Sequence, residues 1–243
     1  MDIKGKVVFI TGASSGIGAA TARAASKAGA RLVLLARREE KIRQLAVELD
    51  DAIAIRCDVT NVGEVTEAVR LVRDTLGRID VLVNNAGQGL QASIEEIDPE
   101  DFSAILRLNV VAPLITMRAI IPLMKQQKGG SIVNIGSGIT FSPLPNTGAY
   151  SASKAGLSML SSVARVEVAD AGIAVSTLYP FITATDFVKS LRAGSEAAAR
   201  MEAQFASLSQ TPEQVAEKVL YLVRSGAERA DLVPEKFGGT FKG

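Results

Sequence analysis

The chain has 243 residues, 47% of them hydrophobic and 22% charged, which suits one soluble globular domain with a large core. Its 27 basic and 26 acidic residues leave a net charge of +1 with no basic run, and this argues against nucleic acid as a partner. There is no histidine and a single cysteine, Cys57, so Ser-His-Asp hydrolysis, histidine acid/base chemistry, most zinc sites and an intrachain disulfide are excluded, and no metal is expected.

The first predicted strand, 6–11, begins so near Met1 that no signal peptide is expected before it. It runs into the turn Thr11-Gly12-Ala13-Ser14-Ser15-Gly16-Ile17-Gly18, which opens a helix. The second strand, 31–36, ends at Ala36-Arg37-Arg38; the third, 52–55, ends near Cys57, Asp58 and Val59, with Cys57 expected as a small buried hydrophobe. The fourth, 79–84, leads into Asn84-Asn85-Ala86-Gly87. Asp98-Pro99-Glu100-Asp101 then supplies an N-cap, a first-turn proline and early acidic charge, and starts a helical segment over about 98–127. The fifth strand, 131–135, precedes Ser137, and a helical segment over about 147–171 carries Tyr150 and Lys154. The sixth, 173–179, is followed by 181–210, a stretch without a strand that is expected to be a helical lid. Thr211-Pro212-Glu213-Gln214 forms a capping box, and a short seventh strand is expected at 230–233.

Apolar runs without strict alternation, separated by helix-length segments, are the pattern of strands buried on both faces of a parallel sheet. The fold expected is therefore α/β, a Rossmann-type doubly wound parallel sheet of six or seven strands with helices on both faces, in a single domain over 1–243. No uninterrupted apolar run approaches the ~18 residues of a membrane span. A cytoplasmic location without membrane partners is expected.

Two features carry chemistry. Gly12, Gly16 and Gly18 stand between a strand and a helix, where they allow a tight turn and close approach of backbone to a pyrophosphate; Ser14, Ser15 and Ile17 belong to the same turn. Tyr150 and Lys154 are four residues apart, on one face of a helix, where the ammonium is expected to lower the phenol below its usual ~10. Together they indicate a dinucleotide-dependent oxidoreductase. At the end of the second strand an acidic residue would hold the ribose diol of NAD. Ala36 removes that carboxylate and Arg37 offers a fork of donors for a phosphate, so NADP(H) is expected in preference to NAD(H). Arg38 is expected simply to begin an exposed helix. Asp58 and Val59 either meet the adenine or, in the case of Asp58, cap the next loop.

With these motifs the chain resembles the short-chain dehydrogenase/reductase family, in its compact single-domain branch, over nearly its whole length. The resemblance implies that Asn85, Ala86 and Gly87 line the adenosine side of the cofactor. It implies that Asn109 holds a water in a proton relay, and that Ser137, Tyr150 and Lys154 are the active-site serine and acid/base pair. It places Pro180 and Thr183 beside the nicotinamide and Thr185 on the pyrophosphate. Phe181 departs from the glycine common after that proline. The C-terminal stretch 229–243 departs from the longer strand and tail that build one subunit interface in many relatives. The implied activity is interconversion of a carbonyl compound and an alcohol, with an apolar or mixed small molecule as substrate, in a homodimer or homotetramer. The dimer would pair the long helices through Val110, Leu114, Met117, Leu157 and Leu160, unless these serve the core. Two alternatives remain: a non-catalytic dinucleotide-binding sensor, and a lyase or epimerase on the same scaffold.

Overall fold

The apolar runs pair into one sheet in the computed structural model, which describes residues 1–242; Gly243, the last residue of the expected domain, lies outside the described residues. The strands are β1 (Val7–Thr11), β2 (Arg31–Ala36), β3 (Ala52–Arg56), β4 (Val81–Asn84), β5 (Gly130–Ile135), β6 (Ile173–Tyr179) and β7 (Arg229–Asp231). All pairs are parallel, in the order β3-β2-β1-β4-β5-β6-β7. Each parallel neighbour needs a crossover, and eight helices supply the connections: α1 (Gly16–Lys27), α2 (Glu39–Glu48), α3 (Val62–Leu76), α4 (Pro99–Leu106), α5 (Ala112–Gln126), α6 (Gly148–Val168), α7 (Ser195–Gln204) and α8 (Pro212–Ser225).

The sheet is covered on both faces, which is why its strands read as continuous apolar runs. Val8, Ile10, Leu32, Leu34, Val81 and Val133 share one core with α1, α2 and α8, while Val7, Phe9, Val33, Leu35, Leu82 and Ile132 share the other with α3, α5 and α6. Cys57 is buried in the second core, and burial pushes its thiol up to about 12, so it behaves as the expected small hydrophobe.

Helix boundaries follow their capping residues. Asp98 accepts from the Glu100 and Asp101 N–H groups at the start of α4, and Thr211 and Gln214 complete a reciprocal capping box on α8. Caps of this kind contribute about 1 kcal/mol each. α4 runs on through a π-helical turn, Arg107–Val111, into α5. The continuous helix Pro99–Gln126 is long and apolar enough to cross a membrane by length and composition. Here it is a layer of the domain, with Met117, Ile120 and Met124 buried in the core.

Of the apolar residues left open between a dimer face and the core, Met117 and Leu157 serve the core, at 2% and 1% exposed. The apolar side chains that α5 and α6 leave open are Leu114, Met159, Val163 and Val166. The 181–210 stretch holds α7 between two short 3-10 turns, Val188–Ser190 and Ala206–Leu208.

β1 is connected onward to β2 on one side, yet pairs with β4 on the other. The strand order reverses here, and crevices at such points in open α/β sheets bind ligands at the carboxyl ends of the strands.

Candidate active site

A cleft of about 680 Å³ follows those carboxyl ends. Arg37, Asp58 and Val59 line it beyond β2 and β3, Gly12 and Gly87 beyond β1 and β4, and Ser137 and Phe181 beyond β5 and β6. Its size is that of a site for a small organic ligand. A second, more open hollow of about 720 Å³ lies on the outer side of the glycine turn against Arg23, Lys41 and Glu48, and none of the acid/base residues lines it.

The glycine turn fits a pyrophosphate. Gly12 and Gly16 hold φ of 66° and 53°, a left-handed conformation that favours glycine. A Cβ on Gly12 would stand 2.8 Å from the Ala86 Cα, and one on Gly18 would strike the Gly12 carbonyl. The chain after β4 laces the turn in place. Asn85 Nδ2 donates to the Thr11 and Gly12 carbonyls, both at 3.1 Å, and the Asn85 and Ala86 N–H groups donate to Thr11 Oγ1 at 3.0 and 3.1 Å. Ser15, at the N-cap of α1, gives no side-chain cap, so the helix start keeps donors for an anion. Thr185 sits over this turn, its Cγ2 3.1 Å from where a Gly16 Cβ would be.

Beyond β2, Arg38 stands exposed at the N-cap of α2, as expected, and also reaches back to the glycine turn. Its guanidinium lies across the turn, with Nη2 donating to Ser14 Oγ at 2.8 Å and Ser15 Oγ at 2.7 Å. Two adjacent guanidinium groups, Arg37 and Arg38, therefore line this end of the cleft. Asp58 caps its own loop, accepting from Thr60 N–H and Oγ1 at 2.9 and 2.8 Å. Partial burial opposes its charge, but Thr60, Arg37 and Arg107 outweigh this and hold its carboxyl below the usual range.

At the other end, β5 delivers Ser137, whose Oγ accepts from the Ile139 N–H at 3.3 Å. α6 presents Tyr150 and Lys154 one turn apart. Lys154 is 4% exposed and donates from Nζ to the Ile135 carbonyl at 2.8 Å. Burial depresses its ammonium to about 8. Tyr150 opens onto the cleft but is walled closely enough that desolvation pushes its hydroxyl up to about 12, against the lowering effect of a hydrogen bond with Ser137. The expected lowering by Lys154 is absent: the ammonium is committed to Ile135 and stands 5.8 Å from the ring centroid. At neutral pH both groups carry their protons.

Asn109 stands behind the cleft, fully buried on the π-helical turn. Its Nδ2 donates to the Gln88 carbonyl at 2.8 Å and Ser153 Oγ at 3.0 Å, and its Oδ1 accepts from the Gln88 N–H at 3.0 Å. The side chain thus ties the β4 loop to α6. A buried chain of amides and hydroxyls extends that tie: Asn84 to Asn134 at 2.8 Å, Thr116 to Asn84 at 2.6 Å and Asn134 to Ser161 at 2.8 Å. Of the residues expected at the site, only Gly18 and Asn109 do not line the cleft. Sequence reading gave Arg38 no place in the cleft and missed Phe237. Arg38 was legible as a second arginine beside Arg37; Phe237 carries no local signal, since tertiary contacts alone bring it there.

Comparison with known proteins agrees with this geometry. A family profile for short chain dehydrogenase matches residues 6–196. An uncharacterised oxidoreductase of Staphylococcus epidermidis is 32% identical over 203 residues, 83% of this chain and 87% of that one. A short-chain dehydrogenase from Streptomyces avermitilis has the same fold with a TM-score of 0.86 and 31% identity, covering 98% of this chain and 92% of that one. A 3-ketoacyl-(acyl-carrier-protein) reductase from Brucella melitensis, complexed with NADH, aligns with a TM-score of 0.85 and 28% identity, over 94% of this chain and 97% of that one.

Proposed function

The chain belongs to the short-chain dehydrogenase/reductase family and is an NAD(P)-dependent oxidoreductase, and from that premise we propose that it interconverts a ketone or aldehyde and an alcohol with NADP(H), using Tyr150 as general acid/base. The observation that carries this reading is the meeting of Ser137, Tyr150 and Lys154 at one end of a cleft whose other end is the glycine turn.

The bound nicotinamide would supply or accept the hydride. Gly12, Ser14, Ser15, Gly16, Ile17 and Thr185 would hold its pyrophosphate, Arg37 with Asp58 and Val59 its adenosine end, and Asn85, Ala86 and Gly87 the span between. Pro180 and Thr183 would flank the nicotinamide. Ser137 fixes the substrate oxygen by hydrogen bonding, as an oxyanion-stabilising donor. Tyr150 gives that oxygen its proton as negative charge develops, and takes it back in the oxidative direction. A phenol raised to about 12 stays protonated through the neutral range, which favours the reductive role. Lys154 donates to the ribose hydroxyls. Both Asn109 Nδ2 hydrogens are donated, to Gln88 and Ser153, so a relay water at this residue would donate to an Asn109 oxygen rather than accept from its amide.

Residues 181–210 form a lid in this reading, with Phe187 packed 5.8 Å from the Tyr150 ring. A panel of ketones, aldehydes and alcohols, followed at the nicotinamide absorbance with NADPH and NADH, tests the proposal. NADPH-dependent reduction of at least one carbonyl compound is expected. Product formation without net change in that absorbance would point to a lyase or epimerase, and binding without turnover to a sensor.

A pH dependence follows from Lys154. Its ammonium is a donor below about 8 and is lost above it, so the dissociation constant for NADPH should rise between pH 7 and 10. A charge-assisted hydrogen bond is worth about 1.5–3 kcal/mol, so the rise should be about tenfold or more. Lys154→Met should bind weakly with a flat profile over the same range; an equally steep profile in that variant would assign the effect elsewhere.

A homodimer at least is also proposed. Met159, Val163 and Val166 lie three and four residues apart on α6 and are 68%, 47% and 78% exposed, with Leu114 on α5 at 45%. Light scattering at micromolar concentration should give at least twice the monomer mass, and Val163→Glu should lower it. A monomer mass for the unmodified chain contradicts the dimer.

A further inference from the structure

Three phenylalanines from three separate stretches of chain meet at the substrate end of the cleft. Phe181 follows β6, Phe205 ends α7, and Phe237 lies in the C-terminal segment beyond β7. The Phe237 ring stacks on Phe181 with centroids 5.1 Å apart and planes at 24°, and meets Phe205 edge to face at 5.5 Å and 89°. All three line the cleft that holds Ser137 and Tyr150. Each is only half-buried, unlike the core ring Phe9 at 0%. Rings recruited merely to fill a core would be covered.

The segment that brings Phe237 is built, not loose. The Asp231 carboxylate accepts from the Val233 N–H at 3.1 Å, the Thr240 N–H at 2.8 Å and the Thr240 hydroxyl at 2.9 Å, closing the segment into a loop. Phe241 returns to donate to the Val233 carbonyl at 3.0 Å and packs against the main core. The loop presses on the Ser137 turn so closely that a Cβ on Gly138 would strike Val233. Gln210, 3% exposed, joins the three stretches. Its side chain accepts from the Phe181 N–H at 3.2 Å and donates to the Leu232 carbonyl, while its backbone pairs with Ile182 and Ala184.

Two of the three cations near this wall are paired, and the third lies on a ring. Arg192 is paired with Asp101 at 2.6 Å and Lys189 with Asp186 at 2.7 Å, and Lys236 lies over the Phe237 ring at 5.3 Å.

We propose that Phe181, Phe205 and Phe237 form an aromatic wall that receives an aryl group borne by the carbonyl substrate, and that the C-terminal segment 234–242 is thereby part of the substrate site. This rests on the carbonyl-reduction reading above. The exposed ring edges and faces would meet a flat apolar group in offset or edge-to-face contact, a geometry that aromatic pairs favour.

The test compares acetophenone, acetone and pyruvate, with NADPH, in the unmodified chain, Phe237→Ala and Phe237→Leu. Acetophenone should have the lowest KM of the three. Phe237→Ala should raise that KM about tenfold, the scale of one lost aromatic contact plus its apolar area, and shift the KM for acetone much less. Phe237→Leu keeps the apolar volume without the ring, so it too should lose the aryl preference, read as the ratio of the acetophenone and acetone KM values. Acetone turnover without preference for acetophenone, or equal KM changes for both, overturns the wall and leaves the carbonyl chemistry standing. Better use of pyruvate overturns it too. Saturation-transfer NMR with acetophenone and NADP⁺ separates the two readings: transfer that weakens in Phe237→Ala upholds the wall even when no ketone is reduced, and absent transfer overturns it.

Discussion

Tyr150→Phe is expected to lower turnover by about 10²–10⁴, the usual range for loss of a positioned general acid, while changing cofactor affinity little. The substitution removes one oxygen and keeps the ring that Phe187 packs against at 5.8 Å. Ser137 retains its contact with the Ile139 N–H, and Lys154 its bond to Ile135, so the surrounding groups keep their positions. NADPH should bind with near-normal affinity by fluorescence titration, and single-turnover absorbance should show the loss in the chemical step. Lys154→Ala should differ by weakening both cofactor binding and turnover, because its ammonium is proposed to touch the ribose as well. Near-normal turnover in Tyr150→Phe would remove the tyrosine from the mechanism.

How much of this was legible beforehand differs by element. The strands were read to within two residues at each end, because burial on both faces removes polar residues from them and their neighbours mark the ends. The helix starts at Pro99 and Pro212 were legible because capping is local chemistry: Asp98 and Thr211 need only the residues two and three places on. The glycine turn was legible for the same reason. What sequence could not supply is which way a side chain faces across the fold. Met117 and Leu157 were left open between surface and core and are core residues, because helical spacing alone does not report which face the sheet covers. Asn109 was read as a water holder, but its spacing could not show that both amide hydrogens go to Gln88 and Ser153, 21 and 44 residues away in sequence. Lys154 and Tyr150 were read as a coupled pair from their spacing. Their titration is governed instead by enclosure, which spacing does not report. Phe237 had no local signal, since its partners come from the lid and from beyond β6.

Ala36→Asp is expected to reverse the proposed cofactor preference from NADPH to NADH. Ala36 ends β2 paired with Arg56 of β3, 7% exposed, and it lines the cleft beside Arg37 and Arg38. A carboxylate there would accept from a ribose diol, and would repel a 2′-phosphate held by the same two guanidinium groups. One charge-assisted contact to phosphate is worth about 1.5–3 kcal/mol, or roughly tenfold to a hundredfold in binding; losing it and adding repulsion should push the NADPH dissociation constant up by at least that much. The two arginines should separate. Arg37→Ala should weaken NADPH alone, because Arg37 is proposed to meet only the 2′-phosphate. Arg38→Ala should weaken NADH as well, because Arg38 also holds Ser14 and Ser15 of the pyrophosphate turn at 2.8 and 2.7 Å. Titration of the unmodified chain with both cofactors decides the matter first: tighter binding of NADH than NADPH would show that two arginines without a carboxylate do not set the preference here, and the reversal would then have nothing to reverse.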